Sequence, residues 1–252
     1  MILNVGLQYS KLENGKMISV KKIAEQKINQ IWEKYSEFTF AIPPITIENI
    51  PDAKIIFIGI NPSLSHKDKT ELLKGPDKSL KLKFYNIGND LDNTHKYFKK
   101  FYEIGNKTDL CWSHYDLLFI QETKQEKVKE LLKTKEGTAF IYDQLMVSKL
   151  VLNELIDKDR PRIFVINNTL AREFLGKDRP VKYKERDEHW LDFRFVWNEI
   201  LGTYTYKNNI FFFSSMLTGQ RALDKGSYER LTWHINYVKS IYLNDKNFRS
   251  FL

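Results

Sequence analysis

Three short stretches of the chain are apolar at consecutive positions: Ile55-Ile56-Phe57-Ile58, Ile163-Phe164-Val165-Ile166 and Ile210-Phe211-Phe212-Phe213. A strand with one wet face alternates apolar and polar residues, so an unbroken apolar run reads as a strand covered on both faces. A fourth apolar segment, Tyr115 to Ile120, reads as the remaining strand of the set. Helical periodicity lies between and around these runs, over 20–38, 93–104, 123–133, 138–156, 170–175 and 227–242, with Asn93 or Thr94 and then Thr169 as caps and Gly176 as a stop. Strands separated by helices predict an α/β fold, a three-layer α/β/α sandwich with a four-stranded, mostly parallel central sheet. Residues 1–252 are expected to form one domain, with an N-terminal helical extension at about 1–45 and a peripheral hairpin insertion at about 190–208.

The first run stops in Gly59-Ile60-Asn61-Pro62-Ser63. Pro62 lacks an N–H and pushes Asn61 towards extended backbone, which holds the Asn carboxamide at the strand's carboxyl end. In open α/β sheets ligands bind at that rim. A carboxamide there can orient a water or a substrate edge, and an ordinary turn Asn has the same sequence pattern. Residues 64–92, rich in turn formers and lysines, read as a long loop directly after this turn. The last strand runs into a second rim segment, Ser214-Ser215-Met216-Leu217-Thr218-Gly219-Gln220-Arg221.

Composition narrows the classes of function. Forty Lys+Arg against 32 Asp+Glu give a net charge of +8, compatible with a polyanionic partner, although there is no long basic run. Cys111 is the single cysteine, which excludes a disulfide framework and any cysteine-based cluster. The five histidines, His66, His95, His114, His189 and His234, are dispersed, so no metal is expected. No apolar run approaches the roughly 20 residues of a membrane span. The first residues lack a secretory pattern, and a cytoplasmic location is the expectation.

The two rim segments together resemble the motifs of the uracil-DNA glycosylase superfamily. Gly59-Ile60-Asn61-Pro62 is most similar to the first motif of its mismatch-specific and thymine-DNA glycosylase branch, and Leu64-Ser65 also fits. The element order over roughly 50–240 is similar as well. The second motif departs from the pattern: with Arg221 matched to the terminal basic residue, Ser215, Met216 and Leu217 stand where His/Asn, Pro and Ser are expected. Ser63 stands where Gly is usual.

The resemblance implies a monomeric DNA-repair hydrolase that flips a damaged or mismatched base, such as uracil, out of DNA and cleaves its N-glycosidic bond without a cofactor. It implies Asn61 as the residue that positions the water, with Gly59, Ile60, Pro62 and Ser63 around the base. Phe84 or Tyr85 would stack on the base, and Gln121 would read its edge. The segment Ser215, Met216, Leu217, Thr218, Gly219 and Arg221 would enter the duplex, with Met216 or Leu217 as the apolar wedge and Arg221 on phosphate. Lys67, Lys69 and Lys74 would add charge. Two other readings fit the same residues: a non-catalytic protein of this fold that binds nucleic acid or a protein, and a hydrolase or transferase acting on a small nucleoside-like ligand.

Overall fold

A computed structural model describes residues 17–39, 41–75, 79–87, 95–156, 160–177, 190–219 and 222–243. The described chain begins with strand β1 (Ile18–Ser19) and helix α1 (Val20–Lys34), which Ser19 caps by accepting the Lys22 N–H. Strands β2 (Ile45–Ile47) and β3 (Asn49–Ile50) lead to β4 (Ile55–Gly59). Next come α2 (His66–Lys74), β5 (Lys83–Tyr85), α3 (Lys99–Thr108) and β6 (Trp112–Asp116). Helices α4 (Gln125–Leu131) and α5 (Lys135–Leu155) precede β7 (Ile163–Ile166) and α6 (Thr169–Leu175). Strands β8 (Val196–Asn198), β9 (Thr203–Tyr206) and β10 (Asn209–Phe213) are followed by α7 (Lys225–Val238).

Six strands form the central sheet in the order β6-β4-β7-β10-β9-β8. The first four are mutually parallel, and β9 and β8 continue the sheet antiparallel beyond β10. The sheet is therefore six-stranded, not four-stranded, and the expected peripheral hairpin is its edge. Thr203 anchors the hairpin by donating its hydroxyl to the Phe211 carbonyl.

The unbroken apolar runs do serve both faces. Ile56, Ile58, Phe164, Ile166 and Phe211 point into a core shared with α1, α5 and α6. Their neighbours Ile55, Phe57, Ile163, Val165, Ile210 and Phe212 point the other way, against Phe101 and Ile104 of α3 and Ile235 and Val238 of α7. All but Phe212 are at most 1% exposed, and each such burial is worth about 1.5–3 kcal/mol. Helices thus cover both faces of the parallel part.

Three local expectations change. The segment 64–92 is not a continuous loop: Ser65 accepts the Asp68 N–H and starts α2, and β5 pairs in parallel with β2. Few apolar residues mark α2, so its periodicity is weak. The second parallel strand is Trp112–Asp116, ahead of the expected Tyr115–Ile120. Helix α6 is capped by Asn168, whose Oδ1 accepts the N–H groups of Leu170 and Ala171, and Thr169 is the first helical residue. The expected caps Asn93 and Thr94 lie outside the described residues. Among the described residues no helix is long and apolar enough to cross a membrane.

Candidate functional site

The carboxyl ends of β4, β6 and β7 open onto one cleft of about 780 Å³. Its first wall is the turn after β4. Asn61 Nδ2 donates to the Glu122 carbonyl at 2.6 Å and to the Pro62 carbonyl at 3.0 Å. The Glu122 N–H returns a bond to the Pro62 carbonyl at 3.0 Å, and Thr123 Oγ1 both accepts from Leu64 N–H and donates to the Leu64 carbonyl. Two loops are thus stapled together through backbone groups. The Asn61 amide nitrogen is held by carbonyls, which fixes the side-chain orientation, and Oδ1 accepts no hydrogen bond among the described residues. A side-chain oxygen fixed in this way can accept from a water or a ligand N–H.

The floor comes from β6. Gly59 pairs with Asp116 across the β4–β6 ladder, and Asp116 occupies the space a side chain at Gly59 would need. Asp116 is only 8% exposed at its side chain, makes no hydrogen bond among the described residues, and lines the cleft. Burial raises its carboxyl pKa to about 8, so the neutral acid is favoured near neutral pH. His114, two residues back on the same face, approaches Asp116 Oδ1 with Nε2 at 3.6 Å, too long for a hydrogen bond. Its ring is stacked on Phe101 at 5.6 Å and 14°, with Phe98 and Tyr97 edge-on. Both ring nitrogens are buried and have no hydrogen-bond partner among the described residues, and burial lowers the imidazole pKa to about 3. The imidazole is therefore neutral.

Tyr85 and Tyr97 complete this polar floor. Burial first, and the nearby Asp116 second, push both phenols above their ordinary range, so both are O–H donors at any physiological pH. Asn167, just past the end of β7, lines the same cleft beside Tyr97. Glu122, Lys124 and Glu126 line it from the segment entering α4 and that helix's first turn.

Of the residues singled out from sequence, Gly59, Ile60, Asn61, Pro62, Ser63, Tyr85, Gln121, Met216 and Gly219 line this cleft. Gln121 donates Nε2 to the Pro43 carbonyl at 2.8 Å, which leaves its side-chain oxygen as the group for a ligand. Phe84 does not line the cleft; it packs on the core under the Lys21 ammonium, 5.3 Å from the ring centroid. Of the two aromatics expected to stack, Tyr85 alone lines the cleft. Leu217 is 4% exposed inside the α7-side core, so it does not project, and Met216 is the apolar side chain of this loop that lines the cleft. Ser215 is exposed and lines a separate, smaller cavity beside β9 and α7. Thr218 lines neither cavity. Gly219 turns the loop with φ +93°, a conformation that favours glycine, and its carbonyl accepts the Ala222 N–H. Arg221 lies outside the described residues.

Asp116, His114, Tyr97 and Asn167 are the residues the sequence reading missed. His114 and Asp116 alternate with Tyr115 in a five-residue strand that is buried throughout. Two ionisable side chains in a buried strand two residues apart are a legible signal, but the apolar run Leu117–Ile120 beside them draws the strand assignment forward. Among the described residues no three His, Cys, Asp or Glu side chains assemble as a metal-binding group. No protein-family model, no curated protein and no solved structure gives a significant match to the chain.

Proposed function

We propose that this chain is a DNA glycosylase that hydrolyses the N-glycosidic bond of a flipped-out damaged or mismatched base such as uracil, on a three-layer α/β/α fold of the uracil-DNA glycosylase kind. The observation that carries the proposal is Asn61. Its amide nitrogen is tied to two carbonyls at a strand rim, its side-chain oxygen accepts no bond among the described residues, and the residue lines a cleft of base-holding size. Asn is neutral and does not remove a proton, so its part is to hold the attacking water by accepting one of its hydrogens. Bond cleavage places positive charge on the sugar and negative charge on the departing base, which donors around Ile60 and on the cleft floor would stabilise. Tyr85 offers a ring to the base, and Met216 an apolar side chain to the space the base leaves.

The test is a panel of labelled oligonucleotides carrying uracil, hypoxanthine, xanthine or G·T and G·U mismatches, followed by alkaline cleavage of abasic sites. Base release that falls by about 10²-fold or more in Asn61→Ala is the expected result. Absence of abasic product across the panel at enzyme excess counts against the proposal.

One observation favours a second reading, hydrolysis of a small nucleoside-like ligand. Leu217 is buried, and among the described residues Glu122 and Glu126 share the cleft with one lysine, Lys124, so these residues have little with which to grip a phosphate backbone. Release of base from free nucleosides as fast as from DNA would select that reading.

A further inference from the structure

We infer that Asp116 is the proton donor of the cleft: as the bond between C1′ and the base nitrogen breaks, its carboxyl O–H delivers a proton to the departing base, so the base leaves neutral. The inference rests on the glycosidic-bond reading above. The geometry behind it is an enclosed carboxyl that makes no hydrogen bond among the described residues, has only His114 Nε2 near it at 3.6 Å, and belongs to a residue lining the same cleft as Asn61, in a seat that exists only because residue 59 has no side chain. The groups around it are Gly59 of β4, Tyr85 of β5, Tyr97 before α3 and His114 of β6, with Tyr115 next to it in the strand but bonded to Ser148 on the opposite face. All are uncharged near neutral pH, and none is a base strong enough to take the proton. The other titratable residues that line the cleft are His95, ahead of α3, and Glu122, Lys124 and Glu126, on the segment entering α4 and in its first turn. An acid that remains protonated at neutral pH is what general-acid catalysis needs, and burial supplies it.

The step balances. The electron pair of the C1′–N bond goes to the base, and the Asp116 proton joins it on a ring nitrogen or exocyclic oxygen. Water held by Asn61 bonds to C1′ and gives up one proton, which restores the Asp116 carboxyl. The net reaction adds OH to the sugar and H to the base. The substrates in view are bases that leave poorly as anions; a base already stabilised as an anion has less need of Asp116.

Two oligonucleotides separate these cases: one with uracil, and one with 5-fluorouracil, whose fluorine withdraws charge from the leaving base. Asp116→Asn is expected to lose about 10²–10⁴-fold in single-turnover rate on uracil, with a loss on 5-fluorouracil at least tenfold smaller. Wild-type rate should fall above about pH 8, and the variant should lack that limb. Carbon NMR of labelled aspartate reads the carboxyl directly and should show Asp116 still protonated at pH 7. Unchanged circular dichroism and a single cooperative urea transition confirm that the variant folds. Equal losses on the two bases, unaltered release in Asp116→Asn, or a carboxyl ionised at pH 6 would each overturn the acid role alone. A wild-type protein that releases no base from any substrate overturns the glycosidic reading itself and the acid role with it.

Discussion

A methyl group at Gly59 would stand 2.1 Å from Asp116 Oδ1 and 3.0 Å from His114 Nε2, so Gly59→Ala must turn Asp116 out of its seat. The expected result is destabilisation of about 1–3 kcal/mol, with the Asp116 carboxyl titrating well below its wild-type midpoint of about 8 because it now meets water. Denaturant melts and carbon NMR check both. The same pair sets a pH profile for the fold. Asp116 keeps its proton in the folded chain up to about pH 8, against 3.8 unfolded; His114 stays neutral down to about 3, against 6.5 unfolded. Between pH 3.8 and 6.5 the unfolded chain holds one proton on this pair, on the imidazole, and the folded chain also holds one, on the carboxyl. Stability is then flat. Above pH 6.5 the unfolded chain holds none while the folded chain keeps one to about pH 8, so stability falls as pH rises. Below 3.8 the unfolded chain holds two against one, so stability falls as pH drops towards 3. The decline from pH 6.5 to 8 should amount to about 2 kcal/mol and vanish in Asp116→Asn. Urea melts across pH measure it.

The β6 region shows what a single sequence discloses about an element and what it hides. Leu117, Leu118, Phe119 and Ile120 are all at most 5% exposed, so their burial was legible, yet they are not strand. Their backbone polar groups find partners that no local pattern announces. Gln144 Oε1, on α5, accepts the N–H groups of Phe119 at 3.0 Å and Ile120 at 3.2 Å. Ser148, one turn along, donates to the Leu117 carbonyl and meets the Tyr115 hydroxyl. A buried loop is tolerable only with such satisfaction. The helices α4 and α5 and the other three parallel strands were readable because periodicity and unbroken apolar runs are local signals. The shift of β6 was not, because it depends on two polar side chains 25 and 31 residues away in sequence. That misplacement is also why Asn61 was found while Asp116 was overlooked. Gln144→Leu keeps an apolar helix face but leaves two buried N–H groups bare, so it should cost about 2–5 kcal/mol and lower Tm by roughly 5–15 °C. Calorimetry reads the loss. A neutral outcome would mean that the Leu117–Ile120 backbone has other partners.

At the scale of the whole molecule, the question is how a net charge of +8 is placed relative to the cleft. The cleft is nearly balanced, with Glu122 and Glu126 against Lys124, and Lys127 pairs with Glu122 at 3.5 Å. Attraction for a polyanion must therefore come from beside the cleft. Helix α2 begins a few residues after Asn61 and carries Lys67, Lys69 and Lys74. The Lys67 side chain is 83% exposed, and its 3.9 Å pairing with Glu71 is worth little in water. On the glycosylase proposal, α2, close in the chain to Asn61, is where a DNA backbone entering the site would meet these lysines. If each lysine neutralises one phosphate of a duplex, the three together contribute about 2.7 to the slope of log binding constant against log salt. Binding should then weaken by roughly forty-fold between 50 and 200 mM salt from these residues alone. Replacing all three by alanine should remove that part of the slope for any duplex sequence, because phosphate contacts carry no base information. Fluorescence anisotropy with a labelled duplex over that salt range makes the measurement. A slope the triple variant does not change would move the backbone contact away from α2. Salt-independent base release from free nucleosides would remove the backbone from the mechanism altogether, and the excess of lysine would then concern solubility rather than recognition.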